Sequence, residues 1–393
     1  MMKPIYFDNN ATTPIAPEVL DEMLPYLREF YGNPSSMHTF GGHLHRKIED
    51  ARAKVAALIN AEPEEIIFTS CGTESDNTAI MSAIESYPQK RHVITTRVEH
   101  PAVLNFCKHL ARKGYRVTFL PVDKPGRLDM DTFLKAVDDD TAIVSIMYAN
   151  NETGVIFPVA EIGEILRERK MPFHTDAVQA VGKIPINVKE LPVDMLSLSG
   201  HKLHAPKGVG ALYVRKGTRF YPYIIGGHQE RGRRAGTENV ASIIGLGKAC
   251  ELAKEHIDKE ADYFKRLRDR LEGALLKLCP DVQINGDTEN RLPNTTNMSF
   301  KYVEGEAILL RLDEYGICAS SGSACTSGSL EPSHVLRAMG IPFNAIHGSI
   351  RFSLSRYNTE DEVDKVIEIM PLIIKELRTL SPYGKVILSK QSF

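Results

Sequence analysis

The chain has 393 residues, 42% of them hydrophobic, and its 48 basic and 50 acidic side chains leave a net charge of −2. This composition is typical of a globular protein that can bury a sizeable core, and the balanced charge argues against nucleic acid or an anionic membrane as a partner. No apolar run approaches the roughly 18 residues of a membrane span, and the first residues do not resemble a secretory signal. Six widely spaced cysteines without a CxxC pair indicate free thiols in the cytoplasm.

Short β-rich runs alternate with helical patterns between about residues 43 and 215. The strand-like runs are continuously apolar, which is typical of a mostly parallel sheet covered by helices on both faces. We therefore expect an α/β fold with seven such strands in its larger domain. The predicted strands are EIIFTS (65–70), HVITTRV (92–98), YRVTFLPV (115–122), TAIVSIMYA (141–149), PFHTDAV (172–178), MLSLSG (195–200) and GVGALYVRK (208–216).

A long helical stretch over about 241–278 precedes a different pattern. The elements predicted after it are the strand NTTNMSFK, a helix near 304–315, the strand end ICASSG, the strand SIRFSLSR and a helix over 359–380. This mixture indicates a smaller α+β domain. We expect that domain to comprise residues 1–15 and 261–393, and the larger domain to comprise residues 16–260.

The segment SSGSACTSGS, residues 320–329, surrounds the thiol of Cys325 with small and polar side chains. Such a loop has few apolar contacts to hold it, so we expect the region 320–332 to move. Cys325 is then either incidental in a surface loop or a reactive thiol that travels. Cys318, at a predicted strand end, is expected to be buried.

Lys202 follows a predicted strand in the run SLSGHKLHAPKGVGALYV. A lysine at a strand end is most often solvated, but an enclosed lysine can form a Schiff base with pyridoxal phosphate. That cofactor also needs a carboxylate beside its pyridine nitrogen, and Asp176 ends another predicted buried strand. Asp176 could equally cap the next helix. Gln179, one helical turn further on, could reach the same ligand.

Gly72 and Thr73 stand between a predicted strand and a helix, where unpaired N–H groups favour a phosphate. Thr73 followed by Asp76 also resembles ordinary capping. His100 ends another strand and could stack on a ring, carry protons, or simply be hydrogen-bonded.

Asn150 and Asn151 also end a strand, in YANNETG. Arg351 lies within an apolar run, where it suits either a substrate carboxylate or a structural salt bridge. Ligands gather at the strand ends of parallel sheets, so these side chains together predict a pyridoxal-phosphate site.

Ten motifs resemble those of class I, NifS/IscS-like cysteine desulfurases, which are fold-type I enzymes of the aspartate-aminotransferase-like pyridoxal-phosphate family. They span residues 6 to 356, nearly the whole chain, and their order and combination are highly specific. The motifs are YFDNNATTP, YGNPSSMH, TESDN, EHPAV, NNETGV, HTDAVQA, SGHKLHAPKGVGALYV, RRAGTENV, SSGSACTSGSLEPSHVL and SIRFSLSR.

The resemblance implies a role for each motif residue. Lys202 would hold the cofactor, Asp176 would meet its pyridine nitrogen and Gln179 its ring oxygen. His100 would stack on the ring, and Asn151 and Arg351 would hold the substrate. The residues implied at the phosphate are Gly72, Thr73, Ser199, His201 and, from the partner subunit of a homodimer, Thr237.

The implied reaction converts L-cysteine to L-alanine and leaves the sulfur as a persulfide on Cys325. The sulfur would pass to an iron–sulfur scaffold protein or another acceptor. No resident metal is implied, although Cys325 could ligate a transient iron–sulfur cluster. The alternatives are a selenocysteine lyase, a related aminotransferase, or a non-catalytic sulfur- or metal-binding scaffold, whose Cys318–Cys325 spacing does not match a metal knuckle.

Two departures from the family pattern stand out. The run CGTES replaces the more usual GATES, which places the thiol of Cys71 near the cofactor. The run CTSGS replaces CTSAS, and the added glycine should loosen the loop slightly.

Overall fold

The protein is described by a computed structural model that covers residues 4–321 and 332–380. Cys325 and most of the serine-rich loop therefore lie outside the described residues. The helices in the described residues are α1 (Pro17–Arg28), α2 (Thr39–Leu58), α3 (Gly72–Ser86), α4 (Pro101–Arg112), α5 (Met130–Ala136), α6 (Val159–Glu168), α7 (Val240–Leu278), α8 (Gly305–Glu314), α9 (His334–Ala338), α10 (Phe343–Ile346) and α11 (Glu360–Leu380).

The strands alternate with these helices along most of the chain, as the sequence predicts. They are β1 (Ile5–Tyr6), β2 (Ile66–Thr69), β3 (His92–Thr96), β4 (Arg116–Leu120), β5 (Thr141–Ser145), β6 (Phe173–Asp176), β7 (Met195–Ser199), β8 (Gly210–Val214), β9 (Val282–Ile284), β10 (Thr295–Phe300), β11 (Ile317–Cys318) and β12 (Ser349–Ser353).

The large sheet has seven strands in the order β2-β8-β7-β6-β5-β3-β4. Strands β7, β6, β5, β3 and β4 run parallel to one another, whereas β8 is antiparallel to both β7 and β2. The apolar side chains of the central strands are fully buried, which explains why these strands read as continuous hydrophobic runs. The predicted α/β class with a mostly parallel seven-stranded sheet is confirmed.

This topology brings several strand ends to one edge of the sheet. The carboxyl ends of β3, β5, β6 and β7 share that edge because the four strands are parallel. The helix α3 begins three residues after β2 ends, and α4 begins five residues after β3 ends, so their N-termini face the same edge. Open α/β sheets bind ligands there.

A second hydrophobic core surrounds the antiparallel sheet β12-β10-β9 and the short parallel pair β1-β11. The helix α7 joins the two cores. Its first half buries residues such as Leu246 and Cys250 in the core of the large sheet, and its second half buries Leu267 and Leu271 in the second core. The predicted division into domains at residues 15 and 260 stays a prediction.

The chain between β1 and α1 bridges β12 and the edge of the large sheet. The Asn10 N–H donates to the Ser353 hydroxyl at 2.9 Å, and the Thr13 N–H donates to the His201 carbonyl at 3.0 Å. This short segment therefore lies beneath the strand ends at which the predicted site residues gather.

The five cysteines within the described ranges form no disulfide. Cys107, Cys250 and Cys279 are buried, but Cys318 is partly exposed, so the expectation that Cys318 is buried is wrong. Its strand, β11, has only two residues and pairs with a single neighbour, β1. In residues 4–321 and 332–380, no helix is long and apolar enough for a bilayer crossing.

Candidate active site

A cavity of about 360 Å³ opens at the carboxyl edge of the large sheet. It is lined by ten of the residues that sequence analysis assigns to the cofactor or the substrate, while Thr237 lies elsewhere and Cys325 lies outside the described residues. The cavity-lining residues are Asn10, Ala11, Cys71, Gly72, Thr73, Asp76, His100, Met147, Ala149, Asn151, Asp176, Val178, Gln179, Ser199, His201, Lys202 and Arg351.

Lys202 ends a short 3₁₀ turn that directly follows β7. Its Nζ donates to the main-chain carbonyls of Asn10 and Ala11, the latter at 2.7 Å. A side chain at Gly200, two residues earlier, would stand 2.9 Å from Val209 Cγ1. The tight turn and the two carbonyls hold the Lys202 amine at the cavity.

Asp176 is the last residue of β6, and its carboxyl group is buried. Burial raises the pKa of Asp176 to about 6, against the opposing effects of the Val178 N–H, which donates to Oδ1 at 2.9 Å, and of the Lys202 charge. The sequence offered helix capping as an alternative to a site role for Asp176. The structure has consecutive turns here, not a helix, and the carboxylate both caps a turn and lines the cavity.

Gln179 reaches the cavity from the turns that follow β6. Its Nε2 donates to the Asn10 carbonyl at 3.0 Å. Its Oε1 is buried and has no hydrogen-bond partner among the described residues. The hydroxyl of Ser199, at the end of β7, is likewise buried without a hydrogen-bond partner among the described residues. Buried polar atoms normally find partners, so both atoms are available to a ligand.

The helix α3 presents its N-terminus to the cavity. Its first intrahelical hydrogen bond runs from the Ser75 N–H to the Cys71 carbonyl at 3.2 Å, so the amides of Gly72 and Thr73 precede it. A Cβ at Gly72 would lie 2.8 Å from Val178 Cγ2. A methyl group at this position would therefore crowd the Val178 side chain, and unpaired amides at a helix start attract an anion.

Two histidines of the cavity are neutral. The backbone N–H of Ala102 donates to His100 Nδ1 at 3.2 Å, so the other ring nitrogen, Nε2, carries the proton. Burial, with the nearby Lys202 charge and His334, lowers the pKa of His100 to about 4. Burial and the neighbouring Lys202 likewise lower the pKa of His201 to about 4.

Arg351 extends from β12 into the same cavity. Its NH1 donates to the Asn151 carbonyl at 3.1 Å, and its NH2 pairs with Asp8 Oδ1 at 2.7 Å. Its Nε is buried without a hydrogen-bond partner in the described parts of the chain. The salt bridge and the cavity position, which the sequence left as alternatives, therefore occur together.

Asn150 does not line the cavity. Its side chain instead stabilises the following turn, since Oδ1 accepts hydrogen bonds from the N–H groups of Glu152 at 2.9 Å and Thr153 at 3.0 Å.

Thr237 is exposed, and the neighbouring Arg234 forms two hydrogen bonds to Glu74 of α3, at 2.8 and 3.1 Å. The segment RRAGTENV is thus anchored at the helix that begins with Gly72.

Sequence reasoning missed Asn10 and Asp76 as cavity residues. Asn10 accepts from both Gln179 and Lys202 through its carbonyl, while its side chain donates to the Asn151 carbonyl at 3.1 Å. The run FDNNATT, dense in short polar side chains, was the available signal. Asp76 looks like a capping residue in the sequence, but it is fully buried and faces the cavity.

A lysine amine, a buried carboxylate and a helix N-terminus at one sheet edge define an enzyme of the α/β class that binds an anionic cofactor. The aminotransferase class-V family model matches residues 5–366. A cysteine desulfurase of Trichormus azollae is 63% identical over 382 residues, which are 97% of this chain and 96% of that protein. Cysteine desulfurase NifS of Azotobacter vinelandii is 57% identical over 383 residues, covering 97% and 95%.

A solved structure described as a NifS-like protein has a TM-score of 0.90 and 42% identity, and the match covers 95% of this chain and 100% of that one. The chain belongs to the aminotransferase class-V family, and within it to the NifS-like cysteine desulfurases, which depend on pyridoxal phosphate.

The cavity residues fit pyridoxal phosphate on three observations. The start of α3 packs Gly72 closely against Val178 and places its first amides at the cavity. The buried atoms Ser199 Oγ and Gln179 Oε1 have no partner within the described ranges. Asp176 presents a carboxylate from the end of a buried strand, and Lys202 supplies an amine.

Proposed function

We propose that this enzyme converts L-cysteine to L-alanine in the cytoplasm and carries the released sulfur as a persulfide on Cys325. The observation that supports this most strongly is the convergence of Lys202, Asp176, Arg351 and the Gly72 turn on one cavity. The family supplies the reaction class, and the cavity supplies chemically suitable groups for each part of the cofactor and substrate.

Pyridoxal phosphate, when bound, supplies an electron sink that stabilises negative charge at the substrate Cα. In this proposal Lys202 binds the cofactor aldehyde and Asp176 meets the ring nitrogen. Gln179 faces the ring oxygen. The groups proposed at the phosphate are the amides of Gly72 and Thr73 and the side chains of Thr73, Ser199 and His201.

Lys202 is also the proposed base that removes the proton from the substrate Cα. Its amine already bonds to the Asn10 and Ala11 carbonyls. These neutral acceptors can hold the amine near the reacting atoms after it leaves the cofactor. They bring no negative charge that would tie it into an ion pair.

His100 is proposed to stack on the ring and to carry a proton near the substrate sulfur. With its pKa lowered to about 4, the imidazole is neutral near pH 7. Its Nε2–H can donate to a developing negative charge, and the Ala102 N–H fixes the ring orientation through Nδ1. A neutral ring stacks on the cofactor without charge repulsion.

Arg351 and Asn151 are proposed to hold the substrate carboxylate. The guanidinium is already shared between Asp8 and the Asn151 carbonyl, which fixes its plane. Its remaining N–H groups can meet a carboxylate in the paired geometry that arginine favours. The substrate Cα would then lie between Arg351 and Lys202.

We further propose that the enzyme works as a homodimer in which the partner subunit's Thr237 reaches the phosphate. In the described chain, large apolar side chains are strongly exposed at Tyr31, Met37 and Ile225. Exposed apolar side chains of this size can pack against a second copy of the chain. The sulfur acceptor is proposed to be an iron–sulfur scaffold protein or another sulfur-accepting biomolecule.

The test is the release of alanine and sulfide from L-cysteine by single cysteine variants of the holoenzyme. Cys325→Ser should bind the cofactor and substrate but release almost no alanine, because a hydroxyl is a far poorer nucleophile toward sulfur than a thiolate. Cys71→Ser and Cys318→Ser are the matched controls and should retain most activity.

Mass spectrometry after one turnover should locate one added sulfur on the peptide that carries Cys325. Added mass on Cys71, or full activity of Cys325→Ser, would refute the assignment of the persulfide to Cys325.

A further inference from the structure

A second carboxyl group lies beside Asp176 in the cavity. Asp76 projects from the second turn of α3, and both acids line the cavity. Their exposed fractions are only 1% for Asp76 and 7% for Asp176. Two neighbouring acids with so little solvent resist carrying two negative charges.

Asp76 contacts a buried row of polar side chains on the central strands. His174 Nδ1 lies 2.9 Å from the Ser145 hydroxyl, and His174 Nε2 lies 2.9 Å from the Ser197 hydroxyl. Asp76 Oδ1 is 3.6 Å from the same Nε2, and the Ser197 hydroxyl also hydrogen-bonds to the Asp76 carboxyl group. The row therefore ends at Asp76.

The titratable groups that act most strongly on the charge of Asp76, among the described residues, are acids and a thiol. Asp176 and His174 face it from β6, Glu99 from the segment after β3, and Cys71 from the residue before α3. Burial lowers the pKa of His174 to about 3, so this ring is neutral. Burial, followed by the charge of Asp176, raises the pKa of Asp76 well above its ordinary value.

The two acids differ in what stabilises their charged forms. Asp176 accepts the Val178 N–H at 2.9 Å and feels the positive charge of Lys202. Asp76 Oδ1 has no hydrogen-bond partner among the described residues. Both differences favour the negative charge on Asp176 and the proton on Asp76.

We propose that Asp76 is a positioning residue that holds a proton beside Asp176, so that Asp176 alone presents a negative charge to the ring nitrogen of the cofactor. The His174 ring, hydrogen-bonded to the Ser145 and Ser197 hydroxyls on either side, is held in place 3.6 Å from Asp76 Oδ1 and fixes the surroundings of that carboxyl group. The proposal rests on the proposed cofactor role of Asp176.

Difference infrared spectroscopy of the holoenzyme tests where the proton lies. At neutral pH, wild-type protein should show a protonated-carboxyl band that disappears in Asp76→Asn and remains in Asp176→Asn. Glu99→Gln is the matched control, because burial raises the pKa of Glu99 to about 8 and its own band must be assigned separately. Identical carboxyl bands in wild type and Asp76→Asn would overturn the proposal.

Cofactor affinity gives a second readout, measured as the equilibrium dissociation constant of pyridoxal phosphate. Asp76→Asn copies a neutral acid and should weaken binding by less than about threefold. Asp176→Asn removes the charge at the ring nitrogen and should weaken binding by about tenfold or more. A loss in Asp76→Asn as large as that in Asp176→Asn would mean that Asp76 is ionised, and the proposal would be wrong.

These measurements use no cysteine and so separate this inference from the proposed reaction. A wild-type enzyme that binds pyridoxal phosphate with a protonated Asp76 but releases no alanine would refute the reaction alone. A desulfurase that lacks the Asp76 band would refute the inference alone.

Discussion

Replacing Gly72 by alanine tests whether the start of α3 cradles the cofactor. The new Cβ would stand 2.8 Å from Val178 Cγ2 and 3.5 Å from Ser199 Cβ. Carbon atoms pack at roughly 3.5–4.0 Å, so α3, the Val178 turn or the Val178 side chain must shift by about 1 Å. That turn lies between Asp176 and Gln179, and the shift therefore falls on proposed cofactor contacts.

Overpacking of this kind costs about 1–3 kcal/mol. If that cost opposes cofactor binding in this chain, whose Val178 packs against glycine rather than the alanine of the more usual GATES run, the dissociation constant of pyridoxal phosphate should rise by about 5- to 150-fold. Equilibrium titration of the apoenzyme, followed by cofactor absorbance, measures the change. The matched control is Gly273→Ala in α7, where nothing lies within 4 Å of the added methyl group.

Gly273→Ala should leave cofactor affinity unchanged and raise the free energy of unfolding by up to about 1 kcal/mol, through the lower entropy of the unfolded chain. If Gly72→Ala binds pyridoxal phosphate within about twofold of wild type, the start of α3 does not contact the cofactor, and the reasoning fails.

Two further predictions concern buried carboxylates. Glu230 forms hydrogen bonds of 2.6 and 2.8 Å to Arg52, with both side chains 4% exposed, so Glu230→Ala should lower the free energy of unfolding by about 3–5 kcal/mol. The control Glu62→Ala removes an exposed pair with Lys189 and should cost less than about 1 kcal/mol; equal losses in urea unfolding would contradict this account. Burial raises the pKa of Glu99 from its ordinary 4.5 to about 8, so its folded form retains a proton that the unfolded chain releases, and stability from this group is lost as pH rises from about 4.5 to 8. The stability of Glu99→Gln relative to wild type should therefore increase across that range, and a difference that is constant with pH would count against a buried neutral Glu99.

The large sheet could be predicted because its strands are short, apolar and separated by helical patterns. Each predicted strand, from 65–70 to 208–216, contains an observed one, and the predicted helix over 241–278 matches α7 almost end to end. Local patterns suffice here because burial on both faces leaves a continuous hydrophobic signal.

The strand ends were equally readable, so Asp176, Ser199 and Lys202 could be placed at one edge from the sequence alone. The contribution of Asn10 to the cavity could not be predicted from the sequence. Its carbonyl meets Gln179 and Lys202 across separations of 169 and 192 residues, and no local pattern encodes a main-chain contact of that range.

Asp76 and Cys318 show two other limits. An acid early in a helix reads as a favourable dipole interaction, whereas the packing of α3 against β6 and β7 turns this side chain inward to Ser197 and His174. Cys318 follows an apolar residue at a strand end, but its strand has a neighbour on one side only, which leaves it partly exposed.

The most direct test of the account is the location of the cofactor on the chain. Borohydride reduction of the holoenzyme followed by peptide mapping should find pyridoxal phosphate attached to Lys202, whose amine lies in the cavity beside Asp176 and the start of α3. Lys183 is the strongest competing attachment site for the cofactor, because it is buried nearby. Its pKa is lowered to about 7, first by burial and then by the Lys202 charge. Label on Lys202 alone is the predicted result, and label on Lys183 or Lys207 would contradict the proposed active site.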